Sequence, residues 1–201
     1  MRPTTSQDNV VVHQRTRDPA RKERILAAAA DLVAGKGYHG VSMADIGAAA
    51  GVTGSAIYRH FESKSAVLVA LFDRVIDGLL RDEHEIVNSY DDLGEAFSRL
   101  VEGQVEFVVS DRVLAQVYHN EIHNLPEVDR RRLRRKQRLY LEEWVHLVGE
   151  LRDDLNDAEA RAVVHAAIGA IQSTLFYNTG LADDRLRQLL AQAALFVLRS
   201  T

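Results

Sequence analysis

Between Ser63 and Val87 the chain repeats an apolar pair every four residues: Val67-Leu68, Leu71-Phe72, Val75-Ile76 and Leu79-Leu80. Pairs at that interval gather on one side of a helix but scatter over both faces of a strand. The stripe is broad, so this helix is expected to be buried along much of its length. Helical spacing recurs through the rest of the sequence. Ile25, Leu26, Ala29, Leu32 and Val33 mark one segment, and Leu93, Phe97, Leu100, Val101, Val105 and Val108 mark another. Val113, Leu114, Val117, Tyr118 and Ile122 mark a third, and Tyr140, Leu141, Trp144, Val148 and Leu151 a fourth. No stretch alternates with period two for long enough to make a strand. The reading is an all-α chain of about nine helices without an internal repeat.

Helix ends are marked by their own chemistry. Asp18-Pro19 reads as an N-cap followed by proline in the first turn, and Gly35-Lys36-Gly37 stops that helix. Ser42-Met43-Ala44-Asp45 has the form of a capping box, with Asp45 in place of the commoner Glu. The helix it opens runs to Ala50 and ends at Gly51. Thr53 is expected to cap a short helix reaching about His60, and Ser63 the long one to about Val87. Asn88 to Asp92 reads as a junction, followed by helices at about 92–109 and 112–123. Pro126 separates these from a helix at about 127–152, and two more follow at about 156–178 and 183–199. Residues 1–17 are polar and without period, so a flexible arm is expected. The expected division is this arm, a head at 18–65, and a body at 66–201 joined to the head by the helix at 66–88.

No run approaches the roughly 18–20 apolar residues of a membrane span, and no charged-then-apolar leader follows Met1. The absence of cysteine removes disulfides, thiol nucleophiles and thiolate metal sites. A soluble cytoplasmic protein is the expectation. The formal charge of −4 conceals an asymmetry, because residues 1–65 carry nine Lys/Arg against six acids. An acidic chain with a basic amino end can still bind a polyanion through that end.

A helix ending at Gly51, a turn, and a short helix opening at Thr53 have the spacing of a helix-turn-helix. Gly54, Ser55 and Ala56 are small enough to let such a helix approach base edges closely, and its opening amides favour phosphate. Thr53, Ser55, Tyr58, Arg59, His60 and Lys64 supply the donors for phosphate positioning and limited base reading. A plain three-helix packing module with solvated polar residues is the alternative on spacing alone.

From Ile25 through Leu71, the residues Gly37-Tyr38, Val41-Ser42-Met43, Ile46, Gly51-Val52, Ile57-Tyr58-Arg59-His60-Phe61 and Ser63-Lys64 closely resemble the DNA-binding domain of TetR-family transcriptional regulators. The resemblance implies a homodimer, most often a repressor, with a helical effector domain behind the head. By position, Ser42 would cap its helix against a phosphate, and Thr53, Gly54, Ser55 and Arg59 would lie at the groove. Tyr58, His60 and Lys64 would hold the DNA backbone. Ser55 departs from the glycine common at its position, while Tyr38 and Phe61 read as core plugs.

The body carries weaker signals. His119 and His123 lie four apart and, with His146 or His165, have the spacing for a metal; exposed or hydrogen-bonded histidines are the plainer reading. The stretch 130–138 holds seven cations in nine positions. It reads as a solvated helix face, as an anion-binding rim, or least readily as a second DNA surface. Tyr118-His119-Asn120-Glu121, followed by this Arg-rich helix with Trp144, is similar to effector domains that sense acyl-coenzyme A. That similarity puts Phe107, Tyr118, Glu121, Arg134, Arg138, Trp144 and Phe176 at an effector site, with Phe97 and Tyr140 as further aromatic candidates; filling the core is their other reading. Ala162, Ala166, Gly169, Ala170 and Ser173 form a small-residue stripe suited to pairing the last two helices with a second copy, or else to packing within one chain.

The leading expectation is therefore a dimeric regulator that binds operator DNA and is released by an apolar or acyl-coenzyme A effector. Neither a cofactor nor a resident metal is expected, and no enzymatic activity. A helical small-molecule or metal-binding protein without operator binding is the alternative. A histidine-metal hydrolase is the remote one, since no Ser/His/Asp arrangement, glycine-rich phosphate loop or HExxH motif is present.

Overall fold

Each apolar stripe finds a facing helix in the computed structural model, which describes residues 19–52 and 54–199. The arm at 1–17, the cap Asp18 and the cap Thr53 lie outside the described residues. Among those residues the elements are α1 (Pro19–Lys36), α2 (Met43–Ala49), α3 (Gly54–Ile57), α4 (Lys64–Ser89) and α5 (Leu93–Ser110). They continue with α6 (Arg112–Glu121), α7 (Glu127–Leu151), α8 (Asp157–Gln172) and α9 (Asp183–Arg199). The fold is all-α, as the periodicity requires. No helix among the described residues is long and apolar enough to cross a membrane.

The long helix α4 joins two packing groups. At its start α1, α2 and α3 close around Ile25, Val33, Ile46, Ile57 and Phe61, all buried. Farther along it packs on α5 and α7, and α8 and α9 complete the body by packing on one another and on α5 and α7. Trp144 of α7 is the largest side chain wholly enclosed, meeting Phe97 of α5 edge to face at 5.7 Å. Helix α1 also lies against α6, so the head touches the body at a second place besides α4.

In the body, two helices are shorter than their sequence patterns suggest, each for an identifiable reason. The pattern at 112–123 gives an α-helix only to Glu121, then a 3-10 turn over Ile122–Asn124. Leu125 is extended (ψ 153°), as the residue before Pro126 must be to clear the proline ring. The pattern at 156–178 gives α8 to Gln172 and a 3-10 turn over Ser173–Phe176. There Arg112 donates to the carbonyls of Thr174 and Tyr177, and Gln116 donates to that of Leu175 at 2.6 Å. Side chains of α6 thus satisfy carbonyls that helix continuation would have used.

Candidate nucleic-acid interface and effector cavity

The head's second helix is fixed at its start by the expected capping box. The Ser42 hydroxyl accepts from Asp45 N at 3.1 Å, and the Asp45 carboxylate accepts from Ser42 N at 2.8 Å. The hydroxyl also donates to that carboxylate at 2.6 Å, and these bonds hold the Asp45 carboxyl below its ordinary range. Ser42 is therefore exposed but already engaged, whereas the sequence had it capping against a phosphate. Gly51 follows with φ +65°, a left-handed conformation that ends α2 and that glycine adopts without strain. A Cβ at Gly47 would sit 3.1 Å from the Val52 carbonyl oxygen, so this glycine lets the turn close tightly over α2.

Helix α3 is a single turn, Gly54–Ile57, shorter than the expected run to His60. Its continuation is held by turns, with His60 N donating to Ile57 O at 2.9 Å and Phe61 N to the same oxygen at 3.0 Å. Val52, Ala56, Ile57 and Phe61 face inward. Ser55, Tyr58 and Arg59 face outward, Tyr58 at 59% exposure, and His60 is half-buried. Ser55, Tyr58 and Arg59 are thus all exposed in and just after α3.

Lys64 is engaged within the head. Its ammonium donates to the carbonyls of Tyr38 at 2.6 Å and Val41 at 2.7 Å, and it lies 4.1 Å from the centre of the Tyr38 ring. It ties the α1–α2 connection to the start of α4. A second tie links the same connection to the body: His39 Nε2 lies 3.1 Å from Asn124 Oδ1, and Asn124 donates in turn to Glu121.

In the body a cavity of about 460 Å³ opens between α4, α5, α6, α7 and α8. Four of the seven effector-site candidates line it: Phe107, Tyr118, Arg134 and Arg138. The other three do not. Trp144 is wholly enclosed in the core behind it, and Glu121 is engaged with Asn124. Phe176 is 61% exposed and meets His119 edge to face at 5.1 Å. Helical spacing places aromatic residues on the body's inner side, but packing between helices decides which of them border empty space.

The cationic run is sorted by its partners. Arg132 makes a bidentate pair with Asp73 (2.5 and 2.7 Å), and Lys136 bridges Asp73 at 2.8 Å and Asp77 at 2.7 Å. Burial works against charge on Asp73, but Arg132 and Lys136 outweigh it and hold the carboxyl below its ordinary range. Arg130 and Arg131 pair with Glu127 one turn earlier. Arg134 and Arg138 have no ion-pair partner among the described residues, and both border the cavity. One run therefore serves as interhelix tie, as solvated face and as a cationic rim.

His119 and His165 border the cavity while His123 and His146 do not, and no group of three or more metal-ligating side chains occurs among the described residues. Gln104 was absent from the candidate set although it lines the cavity. Its signal was in the sequence, because it interrupts the apolar stripe of α5 between Val101 and Val108.

Residues 25–71 match the model of the family described as bacterial regulatory proteins, tetR family. Over 109 residues the chain is 27% identical to the transcriptional activator FasR of Mycolicibacterium smegmatis, covering 54% of this chain and 50% of that protein. Over 105 residues it is 29% identical to the transcriptional repressor KstR2 of Rhodococcus jostii, covering 52% of each. The chain thus spans about half the length of these curated relatives. A TetR-family regulator from Bordetella parapertussis superposes with a TM-score of 0.80 at 26% identity, over 89% of this chain and 95% of that one. FadR from Bacillus subtilis, solved with stearoyl-CoA, shares the fold with a TM-score of 0.73 at 20% identity, over 89% and 98%.

Proposed function

By residues 25–71 this chain belongs to the TetR family of bacterial regulatory proteins, and we propose that it is a dimeric, cytoplasmic transcription regulator, not an enzyme, whose operator binding is opposed by an acyl-coenzyme A thioester. In this reading residues 18–65 bind DNA, and 66–201 hold the effector and pair the copies. The outward surface of Ser55, Tyr58 and Arg59, with Thr53 and Gly54 before it, would meet the groove, and Ser42, His60 and Lys64 would flank it.

The observation that carries the proposal is a cavity of about 460 Å³ whose rim holds two arginines without an ion-pair partner among the described residues, set behind a helix-turn-helix on a shared helix. An apolar cavity with a few charged anchors is the usual form of a small-molecule site. Its apolar walls suit an acyl chain, and Arg134 and Arg138 suit the phosphates of the coenzyme. The stearoyl-CoA bound to FadR of Bacillus subtilis, which shares the fold, supports the same ligand class.

The pairing surface is read from α8 and α9. Ala162, Ala166 and Gly169 of α8 and Ser173 just after it are exposed, and Phe196 of α9 is 71% exposed. Small residues beside a large exposed aromatic suit close approach of a symmetry-related copy.

Fluorescence anisotropy on the gene's own upstream DNA tests this reading. Long-chain acyl-coenzyme A is expected to release the DNA at concentrations where free coenzyme A and free fatty acid do not. Arg134→Ala with Arg138→Ala should raise the concentration required and leave operator affinity unchanged, while Arg135→Ala, away from the cavity lining, serves as control. Failure of every thioester to affect DNA binding would overturn the ligand class, and failure to bind any upstream DNA would overturn the regulator.

A further inference from the structure

Gln104 is 3% exposed, yet it lines the cavity. Its carboxamide oxygen accepts a hydrogen bond from the Tyr140 hydroxyl at 2.9 Å. The nitrogen end has no partner among the described residues, although an amide nitrogen carries two donors. A primary amide buried in an apolar wall is expected to have its donors met, because an unmet buried donor is costly.

The Tyr140 hydroxyl carries a single proton, and Gln104 meets it with its carboxamide oxygen. That leaves the carboxamide nitrogen as the end available to the cavity that Gln104 lines.

From this pairing we infer that Gln104 reads a carbonyl oxygen on the cavity's occupant, donating to it through the carboxamide nitrogen. A carbonyl accepts without bringing a proton that would need its own acceptor in an apolar wall, which a hydroxyl would. The chemical class is an apolar chain carrying a thioester, ester, amide or ketone. The inference rests on the cavity being an effector site, and its carbonyl is the one an acyl thioester would supply. Phe107 and Val108, on the same helix, line the cavity beside Gln104 and suit the chain that flanks such a carbonyl.

The test uses the full chain and two probe pairs that differ by one carbonyl: decanoyl-coenzyme A against the thioether S-decyl-coenzyme A, and methyl decanoate against decyl methyl ether. Isothermal titration on the wild type should favour the carbonyl member of each pair by about tenfold, the effect of leaving one buried donor unmet. Gln104→Met should reduce that preference to less than about twofold. Because discrimination by the wild type needs no variant, poor folding of Gln104→Met leaves the test intact. Binding of both members without preference, or a preference that survives in Gln104→Met, overturns the role of Gln104. If the ester is preferred over the ether while neither coenzyme A compound binds, Gln104 stands and the coenzyme A reading fails. If no probe binds, both fail.

Discussion

Two single side chains carry tasks at odds with their usual chemistry. Lys64, a surface cation by composition, uses its ammonium on the carbonyls of Tyr38 and Val41. Lys64→Ala should therefore lower the stability of the head by about 1–3 kcal/mol, since two half-buried carbonyls lose their donor. Calorimetry would show this as a lower Tm. The slope of operator affinity against salt separates this role from a phosphate contact. A structural lysine leaves the slope unchanged, and a phosphate contact makes it shallower by about one. Glu83 is the second case: it is 5% exposed on the inner side of α4, with one carboxylate oxygen lacking a partner. Burial, with a smaller contribution from Glu143, pushes its carboxyl up to about 8. The folded chain then keeps a proton that the unfolded chain releases near the ordinary carboxylate value, so stability falls as pH rises through that window up to about 8. Glu83→Gln should match the wild type in urea unfolding near pH 4 and exceed it near pH 8.5 by up to about 4 kcal/mol, a ceiling set by the size of the shift. Equal pH dependence in both proteins would mean that water reaches Glu83. Glu83 and Gln104 both stand as polar interruptions of apolar stripes; the Glu143 charge that acts on Glu83 and the Tyr140 hydroxyl that meets Gln104 lie on α7, which no stripe records.

At the scale of elements, what periodicity and caps encode was legible and what depends on a facing helix was not. The stripe on α4, the capping box at Ser42, and the break at Pro126 are local, and each element they mark is present. The shortening of α8 was hidden because Arg112 and Gln116, which take its terminal carbonyls, stand some sixty residues earlier. The division of labour in the 130–138 run was hidden for the same reason. Its ties to Asp73 and Asp77 depend on how α7 lies along α4, which no charge count contains. That tie has a consequence for stability. Asp73→Asn should lower stability at pH 7 by about 1 kcal/mol, the scale for a partly exposed network, and 1 M salt should shrink the difference. Because the Asp73 carboxyl is held below its ordinary range, its contribution is present above the unfolded value and fades as pH falls through the folded one. Wild type and variant should therefore converge in acid, and thermal unfolding at pH 7 and pH 3 would show whether they do. A constant difference would mean that packing, not charge, joins α4 to α7.

At the scale of the whole molecule, head and body already share α4, and the proposed pairing through α8 and α9 is what would bring two heads together. A single head has one outward surface, built on a single-turn helix, and offers few groups to a duplex. Two heads on one rigid dimer make the second contact intramolecular, which raises avidity by about 10²–10⁴ over one head alone when the geometry fits. The geometry that fits places the two reading helices about one DNA turn, roughly 34–36 Å, apart or a multiple of that. Gly169 allows this to be tested without disturbing the monomer. It is exposed on α8, and an added Cβ there meets nothing within 4 Å. Gly169→Arg should therefore leave helicity and thermal unfolding of the single chain nearly intact while placing bulk and like charge at the centre of the pairing surface. Light scattering should then report a monomer where the wild type is a dimer, and operator affinity should fall by at least about a hundredfold. A variant that remains dimeric would move the interface off α8. A monomer that binds the operator as tightly as the wild type would remove the need for two heads. The pairing account requires both losses together, since on that account dimer formation would turn one small reading surface into a site-specific one.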